Sequence, residues 1–99
     1  SVEAKKLAAA GILLKVHPNP MRGAATIAVA LSGEARESAV KIFDVHGREV
    51  KRWSFKSGTN HKIQWNGHDQ MGKPLGSGVY FVEIKSRGER LKEKISLIW

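Results

Sequence analysis

The sequence predicts an all-β protein, an antiparallel β-sandwich of about seven strands. Three observations carry that expectation. Apolar residues alternate with polar or small ones in short runs, as where Ile27, Val29 and Leu31 interleave with Thr26, Ala28 and Ala30. Turn-forming clusters separate these runs at intervals of about eight to twelve residues. The longest irregular stretch, Trp65 to Phe81, carries four glycines and one proline between two aromatic-bearing apolar segments. Glycine supplies positive φ, while proline fixes φ and removes a donor, so this stretch reads as a crossover between strands and not as a helix.

The elements follow in chain order. Residues 1–14 read as a linker or the tail of a preceding domain, with a short helical turn between Ala4 and Ala10, and residues 15–99 as the β-sandwich module. A first strand covers Ile12–Val16, and His17-Pro18-Asn19-Pro20 makes a rigid extended corner that continues as loop through Met21 and Arg22. Thr26–Leu31 is a strand, Ser32–Glu37 a polar turn, and Val40–Asp44 a strand with Val40 and Ile42 inward. Asp44 to Arg48 forms a hairpin turn with Gly47 at the positive-φ position. Glu49–Phe55 does not alternate cleanly, because Val50 and Trp53 cannot share a face, and a bulge or a two-sided strand is expected there. His61–Trp65 puts Ile63 and Trp65 on one side; Val79–Lys85 puts Tyr80, Val82 and Ile84 on one side and Phe81 on the other. Arg90–Trp99 turns Leu91, Ile95, Leu97 and Trp99 one way and Arg90, Lys92, Lys94 and Ser96 the other. No internal repeat stands out. The pattern fits an immunoglobulin-like sandwich.

Composition limits the function. The chain has 99 residues, no cysteine, and 17 Lys+Arg against 9 Asp+Glu, a formal charge of +8. No disulfide is available, no apolar run approaches the ~20 residues of a membrane span, and the apolar patch Leu7 to Leu14, broken by Gly11, is too short for a signal peptide. So positive a surface attracts polyanions, or serves solubility alone.

Several motifs in order carry a family likeness: His17-Pro18-Asn19-Pro20; Thr26-Ile27; a hairpin with Val40, Ile42, Phe43, Asp44, Gly47, Arg48 and Val50; then Trp65-Asn66-Gly67, Asp69, Gly72, Pro74, Ser77, Gly78 and Tyr80; and a basic last strand from Lys94 to Trp99. Over Val16 to Trp99 the chain resembles the C-terminal immunoglobulin-like modules of bacterial exported proteins. These include type IX secretion sorting domains and the corresponding domain of the flagellar hook-capping protein. The resemblance implies a non-catalytic C-terminal module of a larger exported protein, acting in secretion sorting or surface attachment at the extracellular or outer cell surface. Its partner would be the secretion or surface-attachment machinery. The basic charge is also similar to that of terminal modules attached to some bacterial cellulases. That likeness implies an alternative: an accessory module binding polysaccharide or an anionic cell-surface polymer for an attached glycoside hydrolase. A monomer is expected in either case.

Candidate residues follow from both readings. Arg48, Lys51, Arg52, Lys92 and Lys94 are the expected partner contacts, and Trp53 is the candidate sugar platform. Pro18, Asn19, Pro20, Asp44, Gly47, Trp65, Asp69, Gly78 and Tyr80 read as structural, with Asp44 holding Arg48, Asp69 capping its loop, and the Tyr80 hydroxyl anchoring a corner. No cofactor, metal or catalytic group is expected. His17, His46, His61 and His68 lack zinc spacing, Asp69 stands without an acidic cluster, and Ser77 lacks a nucleophile elbow. Nucleic acid is discounted because the aromatic residues read as core.

Overall fold

The period-two patterning folds into two sheets in a computed structural model, which describes residues 4–7, 11–31 and 37–99. The strands among these residues are β1 (Ala4–Leu7), β2 (Ile12–His17), β3 (Met21–Arg22), β4 (Ala25–Leu31), β5 (Ser38–Phe43), β6 (Glu49–Phe55), β7 (Asn60–Trp65), β8 (Gly78–Ser86) and β9 (Glu89–Ile98). One sheet has the order β1-β2-β4-β7 and the other β3-β9-β8-β5-β6. All pairings are antiparallel except β3 with β9. The all-β, immunoglobulin-like expectation holds, with two segments more than the expected seven. The helical turn expected near the start is instead an extended segment, β1, paired with β2. Met21 and Arg22, read as loop, form a short parallel strand against Leu97 and Ile98. The polar turn expected at Ser32–Glu37 falls largely outside the described residues.

The inner faces meet in one core. Ile12, Leu14, Ile27, Val29 and Trp65 come from the first sheet, and Val40, Ile42, Val82, Ile84, Ile95 and Leu97 from the second. Burying side chains of this size contributes roughly 1.5–3 kcal/mol each. Of the bulge and the two-sided strand expected for β6, the bulge is what forms. Ile42 pairs with Lys51 but Phe43 with Glu49, which leaves Val50 as the extra residue. Val50 thereby turns into the core, and Trp53 and Phe55 pack partly buried against the same cluster.

The chain changes sheets at His17-Pro18-Asn19-Pro20, where β2 of one sheet leads into β3 of the other and both X–Pro bonds are cis. Asn19 then serves the edge of β9. Its amide nitrogen donates to the Lys94 carbonyl at 2.8 Å, and its amide oxygen accepts the Ser96 N–H at 3.1 Å. The opposite edge, β6, is treated alike: the Gln70 backbone N–H donates to the Val50 carbonyl at 2.8 Å, and its side-chain oxygen accepts the Arg52 N–H at 2.9 Å. Two amide residues thus occupy backbone groups that an open edge would offer to another strand.

Asn19→Ala removes one donor and one acceptor from that edge. It should lower unfolding stability by about 1–2 kcal/mol, read as a lower urea midpoint with an unchanged slope.

Candidate functional site

Two loops lie between strands at one end of the sandwich, and they share one geometry. In Asp44-Val45-His46-Gly47-Arg48 the Asp44 Oδ1 accepts the backbone N–H groups of His46 and Arg48, both at 2.9 Å. In Asp69-Gln70-Met71-Gly72-Lys73 the Asp69 Oδ1 accepts those of Met71 and Lys73, again at 2.9 Å. Each loop is closed by a backbone pair between its first and fifth residues, and its glycine, Gly47 or Gly72, has φ of +82° or +84°. The pattern D-x-x-G-[KR] therefore occurs twice. It passes unnoticed in the sequence because the two copies share only three positions. Backbone donors, led by Arg48 N–H for Asp44 and Lys73 N–H for Asp69, hold both carboxyl groups below their ordinary range against the opposing effect of burial. Arg48 adds an ion pair to Asp44 at 3.1 Å, the structural partnership expected of it.

The aromatic residues fasten the crossover. Trp65 is buried, donates its indole N–H to the His68 carbonyl at 2.9 Å, and meets Tyr80 edge-on at 5.9 Å. The Tyr80 hydroxyl donates to the Gly76 carbonyl at 2.7 Å, the expected corner anchor, and burial pushes its pKa up. Just past Gly76 and Ser77, the positive-φ residue Gly78 opens β8. Trp99, although 54% exposed, closes the loop from outside, with its indole N–H on the Leu75 carbonyl at 2.5 Å and its backbone N–H on Ser77 Oγ at 3.1 Å. A methyl group at Gly67 would stand 2.9 Å from the Trp99 ring. These loops are occupied by their own bonds. Among the described residues, no group of three His, Cys, Asp or Glu could hold a metal ion.

The charge collects elsewhere. Strand pairing brings Arg52, Lys41, Glu83 and Lys92 into one row across the five-stranded sheet, next to a row of Glu49, Phe43, Phe81 and Lys94 and another of Ser54, Ala39, Lys85 and Arg90. Their strand neighbours Val40, Ile42, Val82 and Ile84 fill the core, so these rows form the outer face. Six cations stand on it: Lys41, Arg52, Lys85, Arg90, Lys92 and Lys94. Arg52 is held by Glu49 through two bonds of 3.0 and 3.1 Å, which raises the Arg52 pKa and lowers that of Glu49. Glu83, in the middle, is only 6% exposed although it points away from the core, so neighbouring side chains fold over it. Phe43 and Phe81 are directly opposed and half-buried at the centre, with the Lys92 ammonium 5.6 and 5.9 Å from their rings. At one end a cleft of about 410 Å³ opens over Ala39 and Ser54 between Lys41, Arg52 and Lys85.

The expected contact residues are therefore divided. Arg52, Lys92 and Lys94 share the outer face. Lys51 is on the inner side of the edge strand, 5.5 Å from the Trp53 ring, and Arg48 belongs to a turn. Trp53, opposite the buried Val40, lies against the core. Phe81 is on the other face of the sheet and Tyr80 is buried, so neither extends Trp53 into a flat platform. Lys41 and the Phe43–Phe81 pair also stand on this face, and residue order alone does not bring them together. The parity of Phe81 pointed outward, but the place of β5 between β6 and β8 was not legible.

The sequence profile of the family described as "Secretion system C-terminal sorting domain" matches residues 15–98. No curated protein matches. Among solved structures, the chain is similar to dimeric latent PorU of Porphyromonas gingivalis, at a TM-score of 0.69 and 23% identity over 88% of this chain and 9% of that one. It is similar to PorZ of the same organism, described as an essential surface component of the type-IX secretion system, at 0.58 and 20% over 100% and 17%. It also resembles the hook-capping protein FlgD of Xanthomonas campestris, at 0.55 and 21% over 87% and 61%. At these identities the likeness establishes the fold, and the chain spans less than two thirds of each protein.

Two outcomes test this local structure. Carboxylates whose folded pKa lies below the unfolded value stabilise fully above the unfolded value and lose that contribution as pH falls through the folded one. The urea midpoint should therefore drop below about pH 4, and the drop should be shallower in Asp44→Asn/Asp69→Asn. Gly67→Ala, which meets both the Trp99 ring and a φ of +77°, should lower stability by about 1–3 kcal/mol and shift tryptophan emission to the red.

Proposed function

We propose, for a chain that belongs to the family of secretion system C-terminal sorting domains, that it acts as a non-catalytic sorting module of a larger exported bacterial protein, read by type IX secretion machinery at the outer cell surface. The module in this reading takes in residues 15–99 together with β1 and the start of β2, because Ile12 and Leu14 belong to its core. The observation that supports it is the coincidence of the family match over residues 15–98 with a sandwich whose motif residues are spent on its own architecture. Asn19, Asp44, Asp69 and Tyr80 bond to backbone, so the motifs shape a rigid body, and recognition falls to the surface that this body presents. The outer face with Arg52, Lys92 and Lys94 is that surface; Arg48 and Lys51 are less suited, being directed into a turn and along the rim. The polysaccharide reading gains no support from Trp53, which packs on the core.

Fusion of the full chain, residues 1–99, to a carrier protein should direct the carrier to the medium or cell surface of a bacterium with type IX machinery. Equal amounts of exported carrier with and without the module would refute the reading.

A further inference from the structure

The basic outer face has three properties that together specify what covers it. Its cations are regularly spaced: Arg90, Lys92 and Lys94 alternate along β9 at roughly 6.8 Å intervals, the two-residue repeat of an extended chain. Its centre is apolar, with Phe43 and Phe81 directly opposed on adjacent strands. Its flanking edges carry their own caps, Asn19 and β3 on β9 and Gln70 on β6, so an incoming chain meets obstruction where it would add as another strand. At these capped stretches a partner lies across the face and does not add as a strand.

Position of the Lys92 ammonium selects among polyanions. It lies over both phenyl rings, at 5.6 and 5.9 Å. A nucleobase or sugar ring stacking on the phenyl pair would have to displace that cation. A carboxylate meets it where it stands, and apolar side chains between the carboxylates reach the ring edges. We propose that this face docks an extended acidic polypeptide segment, with alternate Asp or Glu side chains on Arg90, Lys92 and Lys94 and an apolar side chain next to the Lys94 position on the Phe43–Phe81 pair, which shares the row of Lys94. Taken with the sorting function, on which this extension rests, the segment belongs to a protein of the export or surface-attachment machinery. Lys41, in the row of Lys92 on the far side of the buried Glu83, widens the positive field across the sheet.

Titration of the full chain with poly-L-glutamate, oligo(dT) and polygalacturonate at matched charge and low salt tests the assignment. Lys92→Glu/Lys94→Glu should weaken poly-L-glutamate binding by about tenfold or more, whereas Lys15→Glu/Lys62→Glu, the same charge change on the outer face of the other sheet, should weaken it by less than about threefold. Circular dichroism confirms that both pairs fold. Equal loss in both pairs, or no binding of poly-L-glutamate, overturns the proposal. Tighter binding of oligo(dT) or polygalacturonate, lost in Lys92→Glu/Lys94→Glu, overturns the acidic-polypeptide assignment. An export assay separates this from the function on which it rests. If deleting the module stops export but Lys92→Glu/Lys94→Glu does not, the docking surface is refuted and the sorting function stands. If deletion changes nothing, the sorting function falls, and the titrations alone judge the surface.

Discussion

A five-stranded sheet exposes two backbone edges, and the way these are satisfied governs the rest of this fold. Each edge strand would otherwise present unpaired N–H and C=O groups to solvent and to other chains. On β9 the need is met by β3 and by both ends of the Asn19 amide. On β6 it is met by Gln70 through its backbone N–H and side-chain oxygen. Both caps come from sheet-changing segments. Asn19 stands where the chain leaves the first sheet, and Gln70 stands in the crossover between β7 and β8. Capping the edges and joining the sheets are thus done by the same segments.

With the edges capped over Lys94–Ile98 and at Val50 and Arg52, the faces divide the work. Alternation sends Val40, Ile42, Val82, Ile84, Ile95 and Leu97 into the core and leaves the intervening positions outward. The outward set is neither uniformly polar nor uniformly charged. Phe43 and Phe81 form an apolar centre, Glu83 is buried beneath its neighbours, and lysines surround them. Burying a carboxylate is costly unless charges of opposite sign stand near, and the register sets Glu83 between Lys41 and Lys92. The lysines that flank Glu83 in register also give the face its excess positive charge. A solubility surface would not need an aromatic pair at its centre.

The loops that first draw attention in the sequence turn out to be self-contained. The carboxylates of Asp44 and Asp69 are consumed by backbone donors within their own five-residue loops. Trp65, Tyr80 and Trp99 spend their polar atoms on the carbonyls of His68, Gly76 and Leu75. With donors and acceptors matched at home, the loops act as fixed spacers that hold the sheet faces in place.

Much of this was readable from residue order. Period-two patterning locates β2, β4, β5, β7, β8 and β9, the misfit of Val50 and Trp53 marks an irregularity in β6, and Gly47, Asp69 and Tyr80 have roles that local geometry enforces. These features depend on neighbours a few residues away, so sequence suffices for them. What stayed hidden depends on strand order. Lys41 and Lys92 are 51 positions apart in the sequence, yet the register of β5, β8 and β9 aligns them on either side of Glu83. Lys51 and Arg52 must point to opposite sides of the pleat, but which of them faces outward is set by their pairing with Ile42 and Lys41. The 99 residues dictate which positions alternate, turn and carry charge. Only the packing of the sheets decides which charges become neighbours, because that adjacency is made by hydrogen bonds between strands and not by the chain itself.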